Sequence, residues 1–264
     1  MSTRRERTAL VTGASAGIGV ALAHEFARNG FDLVLTARRT ERLVALANKV
    51  QAKHQVNTHV VTADLADPAT PARMVEAFVR DGVRIDVLVN NAGYALAGGF
   101  RDSSWEAQRD CLQVLVNAPC ELAHRLVPAM QAQNYGRIMN VASVAGLLPG
   151  SLSHSLYGAA KAFLIGFSQA LHAEYSGTGI HVSALCPGLT HSEFHDVNGS
   201  RENMRRVPKF LWLTPERVAA EGYAALETNR VLCVPGLQYK TITALVRLLP
   251  RRAAHDLAGK FRRR

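Results

Sequence analysis

The chain has 264 residues, 48% of them hydrophobic, and this length suits one α/β domain with a well-buried core. No apolar run reaches the roughly 20 residues that a membrane-spanning helix needs, so we expect a soluble, cytoplasmic protein. The net charge of +10 lies at the two ends: residues 1–7 carry +2, residues 240–264 carry +7, and the rest carries +1. The main body therefore offers no basic groove, which argues against nucleic-acid binding.

The cysteines and histidines show no spacing that is typical of a metal site. No Cys-x-x-Cys pair occurs, so we expect free thiols that are buried in a reducing compartment, and no metal. His191 and His195 are four residues apart but match no ligand pattern, and we interpret them as lone surface or lid histidines. The cysteines are Cys111, Cys120, Cys186 and Cys233.

The first predicted strand, residues 8–14, leads into the glycine-rich stretch TGASAGIG and then into a helix-like segment. A strand, a tight glycine turn and a helix N-terminus together present backbone N–H groups that can hold a pyrophosphate. Gly13, Gly17 and Gly19 have the spacing G-x-x-x-G-x-G. Alternatively, such glycines serve only to pack a helix on a strand. The position of the loop at the start of a strand-helix alternation favours the phosphate interpretation.

The second predicted strand, residues 32–38, ends without the carboxylate that would hold the ribose hydroxyls of NAD. Instead, Ala37 is followed by Arg38 and Arg39. Arginine binds a phosphate with paired, charge-assisted hydrogen bonds, so the sequence predicts NADP(H) in preference to NAD(H). One of the two arginines can equally be a solvated residue at the start of the next helix.

The third predicted strand ends at Asp64, which is followed by Leu65. These two residues are placed to bracket an adenine ring. Asp64 can equally cap a helix that begins near Pro68.

The fourth predicted strand, residues 86–89, runs into the sequence NNAG. Asparagines and a glycine at a strand end suit a sharp backbone path beside a ligand, and they also suit any tight turn. The residues concerned are Asn91, Ala92 and Gly93.

A long helix is predicted from Trp105 to about Leu126, with Asn117 among its apolar residues. A polar amide in an apolar stripe must find hydrogen-bond partners. We expect a structural amide bonded to a backbone carbonyl, a side chain that holds an ordered water near Lys161, or both.

The segment from Ser143 to Lys161 carries the strongest catalytic pattern. Tyr157 and Lys161 are four residues apart, so on a helix they lie one turn apart on the same face. A neighbouring ammonium stabilises a phenolate, and we therefore expect Lys161 to lower the pKa of Tyr157. Ser143 follows the strand-like run 137–142 and can present its hydroxyl to the same tyrosine. Tyr157 would be an acid, Lys161 would adjust its pKa, and Ser143 would donate a hydrogen bond that orients a carbonyl group.

Two further segments bear on the substrate. Residues 189–213 have no clear periodicity, and a segment of this length in a compact domain predicts a substrate lid. Residues 241–264 form a basic, amphipathic tail that suits an anionic membrane surface or a partner. We favour the alternative that the tail packs on its own domain or on a sister subunit.

These motifs, in this order and over residues 8–240, make the chain similar to the short-chain dehydrogenase/reductase family. The motifs are TGASAGIG, NNAG, Asn117, Ser143, Tyr-x-x-x-Lys and a Pro-Gly pair at Pro187. The resemblance implies an α/β fold: a Rossmann-type, doubly wound parallel sheet of about seven strands with helices on both faces, in a single domain spanning 1–264. It also implies homodimers or homotetramers.

The resemblance also implies roles for individual residues. Tyr157 would donate a proton to a carbonyl oxygen that Ser143 holds, Lys161 would hold the nicotinamide ribose, and Asn117 would anchor a water of the proton relay. The positions that match the family's cofactor-binding residues are Gly13, Ser15, Gly17, Ile18, Gly19, Arg38, Arg39, Asp64, Leu65, Asn91, Ala92, Gly93, Tyr157, Lys161, Pro187, Gly188, Thr190 and Ser192.

Two positions depart from the family pattern. Ala16 stands where many NADP-dependent members have a basic residue, so Arg38, with or without Arg39, must carry the preference. Ser192 stands where a threonine is usual and keeps the hydroxyl.

The leading hypothesis is an NADP(H)-dependent oxidoreductase that reduces a hydrophobic ketone or aldehyde, or oxidises the corresponding alcohol. A second hypothesis is a reductase of 3-oxoacyl thioesters. A third is a dinucleotide-binding sensor or scaffold without turnover, although a sensor has no need of an intact proton relay.

Overall fold

The computed structural model of the chain describes residues 7–149, 155–193 and 207–249. Seven strands form one sheet, and every pairing within it is parallel. Their order across the sheet is β3-β2-β1-β4-β5-β6-β7. The strands are β1 (Thr8–Thr12), β2 (Asp32–Ala37), β3 (Thr58–Thr62), β4 (Val87–Asn90), β5 (Gly136–Val141), β6 (Ile180–Leu185) and β7 (Leu232–Cys233). The predicted doubly wound parallel sheet of seven strands is confirmed.

Helices alternate with these strands along the chain. Each parallel crossover in such a sheet needs a connection of a dozen or more residues, and a helix supplies it. The helices are α1 (Gly17–Arg28), α2 (Thr40–His54), α3 (Thr70–Arg80), α4 (Trp105–Leu112), α5 (Ala118–Ala132), α6 (Ser155–Glu174), α7 (Pro215–Glu227) and α8 (Leu237–Leu248).

The core consists of two hydrophobic layers, one on each face of the sheet. Side chains alternate across a strand, so Ala9 and Val11 belong to the layer beneath α1 and α7, whereas Leu10 belongs to the layer beneath α3 and α5. All three are fully buried. The unbroken apolar run Ala9–Val11 in β1 is therefore explained by helices on both faces.

The long helix predicted over Trp105–Leu126 is wrong in two respects. A π-helical turn, Gln113–Asn117, separates α4 from α5, and α5 continues to Ala132. A π turn adds a residue to the helical repeat and so rotates everything that follows it, and such turns are frequent at functional sites.

Strand order reverses between β1 and β4, which places the loops that follow these two strands side by side. A Cβ atom built on Gly13, after β1, would lie 2.7 Å from the Cα atom of Ala92, after β4. Only glycine permits this approach. The crevice at such a reversal, outside the carboxyl ends of the strands, is where ligands bind in open α/β sheets.

Helix α8 packs on its own domain through Tyr239 and Thr243, which are buried. Its other face exposes Leu245 (58% exposed) and Leu248 (81%). The predicted tail continues over residues 250–264, which lie outside the described residues. None of the helices in the described ranges is long and apolar enough to cross a membrane.

Candidate active site

A single cavity of about 880 Å³ extends from the glycine-rich loop to Tyr157. It contacts all of the predicted site residues except Gly19 and Asn117. The predicted residues that line it are Gly13, Ser15, Gly17, Ile18, Arg38, Arg39, Asp64, Leu65, Asn91, Ala92, Gly93, Ser143, Tyr157, Lys161, Pro187, Gly188, Thr190 and Ser192.

The glycine-rich loop between β1 and α1 has a backbone that could hold an anion. Gly13 (φ +66°) and Gly17 (φ +55°) adopt the left-handed conformation that favours glycine. Ala16 precedes α1 and provides no side-chain cap for the first N–H groups of this helix. The positive N-terminal end of α1 adjoins the cavity. Gly19 has a packing role, since a Cβ there would lie 2.3 Å from the carbonyl oxygen of Gly13. The loop therefore fits a pyrophosphate group.

Asn91 ties the end of β4 to the loop after β1. Its side-chain amide donates to the carbonyl oxygen of Thr12 (2.8 Å), and its backbone N–H donates to the Thr12 hydroxyl (2.9 Å). Gly93, in the same turn, permits close packing on Leu115, whose Cδ2 atom would lie 2.8 Å from a Cβ at that position. The NNAG turn thus holds together the walls of the cavity.

Arg38 and Asp64 lie at the adenosine end of the cavity, on the strand ends of β2 and β3. Their charged groups are 3.9 Å apart, and the Arg38 side chain is 70% exposed. The alternative in which Asp64 caps the following helix is wrong. Its carboxylate accepts from the N–H of Ala66, whereas α3 begins only at Thr70.

Arg39 makes contacts that the sequence does not predict. It donates to the Ser15 hydroxyl (3.0 Å) and to the Glu193 carboxylate (2.8 Å), which Arg42 also contacts (2.6 Å). Glu193 lines the cavity, although it lies 154 residues from Arg39 in the sequence. No local pattern links residues at such a separation.

Ser143 follows β5 and begins a short 3-10 turn, Val144–Gly146, whose Ala145 N–H donates to its hydroxyl (3.1 Å). The turn packs tightly on α6, which carries Tyr157 and Lys161. A Cβ at Gly146 would lie 2.6 Å from the backbone of Lys161. Gly146 is therefore a site residue that sequence reasoning missed: without a side chain there, Ser143 can reach Tyr157.

The predicted one-turn spacing of Tyr157 and Lys161 on a helix is present in α6. The Lys161 ammonium lies 5.5 Å from the centre of the tyrosine ring. It donates to the carbonyl oxygen of Val141 (2.6 Å), and the residue is only 4% exposed. Burial lowers the pKa of Lys161 to about 8, against the opposing effect of the thiols Cys186 and Cys111.

The expected lowering of the tyrosine pKa is not observed. Burial raises the pKa of Tyr157 to about 12, and a hydrogen bond with Ser143 only partly opposes this shift. Loss of water around the phenol is the largest cause of this shift, and the nearby Cys111 thiol adds to it, whereas the Lys161 ammonium is held by Val141 and faces the ring. A phenol with a high pKa stays protonated at neutral pH and can serve as a proton donor.

Asn117 ends the π turn rather than lying inside a regular helix. It is exposed and donates to the Gln113 side-chain oxygen (2.9 Å), and it does not line the cavity. Of the two expected roles, the bond to a backbone carbonyl is wrong, because the partner is a side chain. The role in holding a water stays a prediction.

Tyr239 of α8 is a further site residue that sequence reasoning missed. Its hydroxyl accepts from the Leu189 N–H (2.9 Å) and donates to the Leu211 carbonyl oxygen (2.7 Å). A Cβ at Gly188 would lie 2.0 Å from its ring. Tyr239 thus holds both ends of the predicted lid. Residues 194–206 of that lid, including His195, lie outside the described residues.

Three of the four cysteines are buried, as predicted, and all four are free; Cys120 is only partly buried. Within residues 7–149, 155–193 and 207–249, no cluster of three or more histidine, cysteine, aspartate or glutamate side chains could hold a metal ion.

Comparison with known proteins agrees with this geometry. The family model described as short chain dehydrogenase matches residues 7–203. The sulfoacetaldehyde reductase of Chromohalobacter salexigens is 40% identical over 190 residues, which are 70% of this chain and 72% of that protein. The very-long-chain 3-oxoacyl-CoA reductase of Anas platyrhynchos is 32% identical over 233 residues, which are 86% of this chain and 72% of that protein.

Among solved structures, a short-chain dehydrogenase from Sphingobium yanoikuyae in complex with NADPH is similar to this chain. The TM-score is 0.80 at 32% identity, and the match covers 92% of this chain and 96% of that one. Most of the chain thus matches the family both in sequence and in structure. The chain belongs to the short-chain dehydrogenase family of oxidoreductases, which act on CH–OH and C=O groups.

Proposed function

We propose that this protein is an NADP(H)-dependent oxidoreductase that reduces a hydrophobic ketone or aldehyde, or oxidises the corresponding secondary alcohol. One observation carries the proposal: a single cavity joins Arg38 and Arg39, at one end, to Ser143 and Tyr157 at the other. The first pair suits a 2′-phosphate and the second pair suits a carbonyl oxygen.

The glycine-rich loop and the strand ends fit a nicotinamide dinucleotide, which supplies the hydride when bound. Gly13 and Gly17 give the pyrophosphate a backbone cradle, and Leu65 offers an apolar contact for adenine. Arg38 and Arg39 support the choice of NADP(H) over NAD(H). The NADPH bound to the Sphingobium relative is consistent with that choice.

Tyr157 protonates the carbonyl oxygen in the direction of reduction. Its high pKa keeps the proton on the phenol until negative charge develops on the substrate oxygen. Ser143 stabilises the same oxygen with a hydrogen bond, and Lys161, held by Val141, keeps a positive charge beside the site. Asn117 anchors a water at the end of the proton relay.

The cavity wall near Tyr157 supports a lipophilic substrate. The side chains there are mostly apolar, and the only cation among the described lining residues at this end is Lys161. A sulfonate, as in sulfoacetaldehyde, would need a second positive group. The larger apolar or aromatic lining residues outside the predicted set are Tyr94, Val114, Val141, Val144, Leu148, Leu189, Leu211, Tyr239 and Ile242.

A reductase of 3-oxoacyl thioesters is the second candidate. The similarity to a very-long-chain 3-oxoacyl-CoA reductase over 86% of this chain favours it. The same Ser143 and Tyr157 would act on the 3-oxo group, and the basic tail would meet the acidic carrier or coenzyme. Turnover of 3-oxoacyl-CoA in preference to simple ketones would identify this candidate.

The exposed leucines of α8, Leu245 and Leu248, continue into the basic sequence 250–264. They suit a second copy of the chain, as in a homodimer or homotetramer, and they also suit peripheral contact with an anionic membrane. We propose a cytoplasmic enzyme in which this face is covered by one of the two.

The test compares NADPH and NADH by fluorescence titration and by turnover of a ketone panel, for the wild type and Arg38→Ala. We expect the wild type to prefer NADPH and Arg38→Ala to lose much of that preference, because a charge-assisted contact is removed. Arg80→Ala, an exposed residue at the end of α3, is the control and should keep the preference. Equal binding of NADPH and NADH by the wild type would contradict the cofactor assignment.

A further inference from the structure

Residues 189–193 lie directly on the glycine-rich loop. The His191 N–H donates to the Leu213 carbonyl oxygen (3.0 Å), which fixes the segment on one side. On the other side, a Cβ at Gly17 would lie 2.8 Å from the Cβ of Ser192. The next residue, Glu193, is therefore held close to the β2–α2 junction.

Both carboxylate oxygens of Glu193 are occupied by arginines. One accepts from Arg39 (2.8 Å) and the other from Arg42 (2.6 Å). Hydrogen bonds from Arg39 and Arg42 lower the pKa of Glu193, so the carboxylate is charged at neutral pH. Nε and Nη2 of Arg39 donate to the Ser15 hydroxyl (3.2 and 3.0 Å), so Nη1 is the nitrogen that meets Glu193.

The residues that line the adenosine end of the cavity carry no excess positive charge, because Arg42 contacts Glu193 without lining the cavity. The charged residues that line this end, within the described part of the chain, are two arginines and two carboxylates: Arg38, Arg39, Asp64 and Glu193. A 2′-phosphate carries close to two negative charges and seeks the same guanidinium N–H groups. Arg39 cannot donate one N–H group to both Glu193 and a phosphate.

We propose that Glu193 is a specificity-determining residue that competes with the 2′-phosphate of the cofactor for Arg39. This inference rests on the proposed function, because it takes NADP(H) as the cofactor. The ion pair between Arg39 and Glu193 must open before Arg39 can bind the 2′-phosphate of NADP(H), whereas NAD(H), which lacks the phosphate, leaves the pair intact. Glu193 therefore limits the affinity for NADP(H) and leaves that for NAD(H) unchanged.

The test is Glu193→Gln, which keeps the shape of the side chain and removes its charge. NADPH and NADH are titrated by fluorescence at one fixed, low salt concentration, since exposed pairs are screened by salt. We expect NADPH to bind about two- to fivefold more tightly, the range for one exposed ion pair, and NADH to bind as it does to the wild type. Glu121→Gln, which breaks a comparable pair with Arg125 on α5, should change neither.

A double variant shows whether the effect passes through Arg39. In an Arg39→Ala background, Glu193→Gln should give a much smaller gain in NADPH affinity, because the contested donor is absent. Unchanged or weaker NADPH binding in the single Glu193→Gln variant would overturn the proposal and make Glu193 a support for the arginines. Melting curves for each variant check that the fold is intact.

The two proposals fail in different ways. A wild type without any preference for NADPH contradicts the cofactor assignment, whatever Glu193→Gln does. A wild type that prefers NADPH, combined with a Glu193→Gln variant that binds it no better, overturns only the competition.

Discussion

The two ends of the cavity are stabilised by different forces. At the catalytic end, Lys161 is buried and held by a backbone carbonyl, and Ser143 is positioned by a turn packed against α6. At the adenosine end, Arg38, Arg39 and Glu193 are partly or largely exposed and are held by ion pairs, Arg38 with Asp64 and Arg39 with Glu193, and by the hydrogen bonds of Arg39 to Ser15. Backbone packing fixes geometry, whereas exposed ion pairs are weak and exchangeable. We infer that chemistry is fixed at the first end and selectivity is adjustable at the second.

The packing of the turn that carries Ser143 gives the largest expected effect. Gly146→Ala places a Cβ 2.6 Å from the backbone of α6, so the turn must move away from Tyr157. A displacement of about 1 Å at a reacting group can lower the rate about 100-fold, and we expect a loss of kcat of that order with cofactor binding retained.

Gly166→Ala is the matched control for this prediction. Gly166 lies on the same helix, and a Cβ there would meet nothing within 4 Å. Alanine is the better helix former, so the control should keep its activity and gain a little stability. Equal kcat values for the two variants would show that close packing does not position Ser143.

Loss of the two hydrogen bonds of the Tyr239 hydroxyl is expected to have a smaller effect on activity. Tyr239→Phe leaves the N–H of Leu189 and the carbonyl of Leu211 without their partner, which costs about 1–3 kcal/mol when such groups are buried. We expect a lower free energy of unfolding, measured with denaturant, and a KM for the carbonyl substrate that rises more than kcat falls. An unchanged KM would show that the lid ends are held without this hydroxyl.

The smallest effect concerns the pH dependence of stability. The pKa of Lys161 is about 8 in the folded chain against 10.5 for a free lysine. Between pH 8 and pH 10.5, the unfolded chain keeps the lysine proton that the folded chain has lost. The free energy of unfolding should therefore rise with pH over this range. Lys161→Met removes this contribution.

Tyr157 acts in the opposite direction at higher pH. Its pKa is about 12 when folded and 10.0 when free, so the folded chain keeps the proton longer and stability falls above pH 10. Between pH 7 and pH 10, the free energy of unfolding measured with denaturant should therefore rise more steeply with pH for the wild type than for Lys161→Met. Identical pH profiles would show that Lys161 is not desolvated.

The sequence predicted what local patterns encode. Apolar, β-branched runs followed by glycine or a polar residue marked the ends of β1 and β5, and the topology then brought Gly13 and Ser143 to the same edge of the sheet. The four-residue spacing of Tyr157 and Lys161 was sufficient to place both on one face of α6.

Features that depend on contacts between residues distant in the sequence could not be predicted from it. Glu193 meets Arg39 across 154 residues, and Tyr239 reaches Leu189 across 50. The direction of the Tyr157 pKa shift was also mispredicted, because spacing reveals the nearby ammonium but not the loss of water around the phenol. The π turn that ends at Asn117 contains no glycine or proline from which the sequence could have predicted it.

The central claim is that Tyr157 performs the chemistry while the other end of the cavity holds the cofactor. The most direct measurement is turnover and NADPH binding for Tyr157→Phe, with Tyr135→Phe as a control. The hydroxyl of Tyr135 is buried, lies outside the cavity and has no hydrogen-bond partner in the described part of the chain.

Removing a general acid lowers the rate by about 10²–10⁴-fold, so Tyr157→Phe should lose turnover by at least that range while its Kd for NADPH stays within about twofold. Tyr135→Phe should match the wild type in both measurements. Retained turnover in Tyr157→Phe would contradict the account.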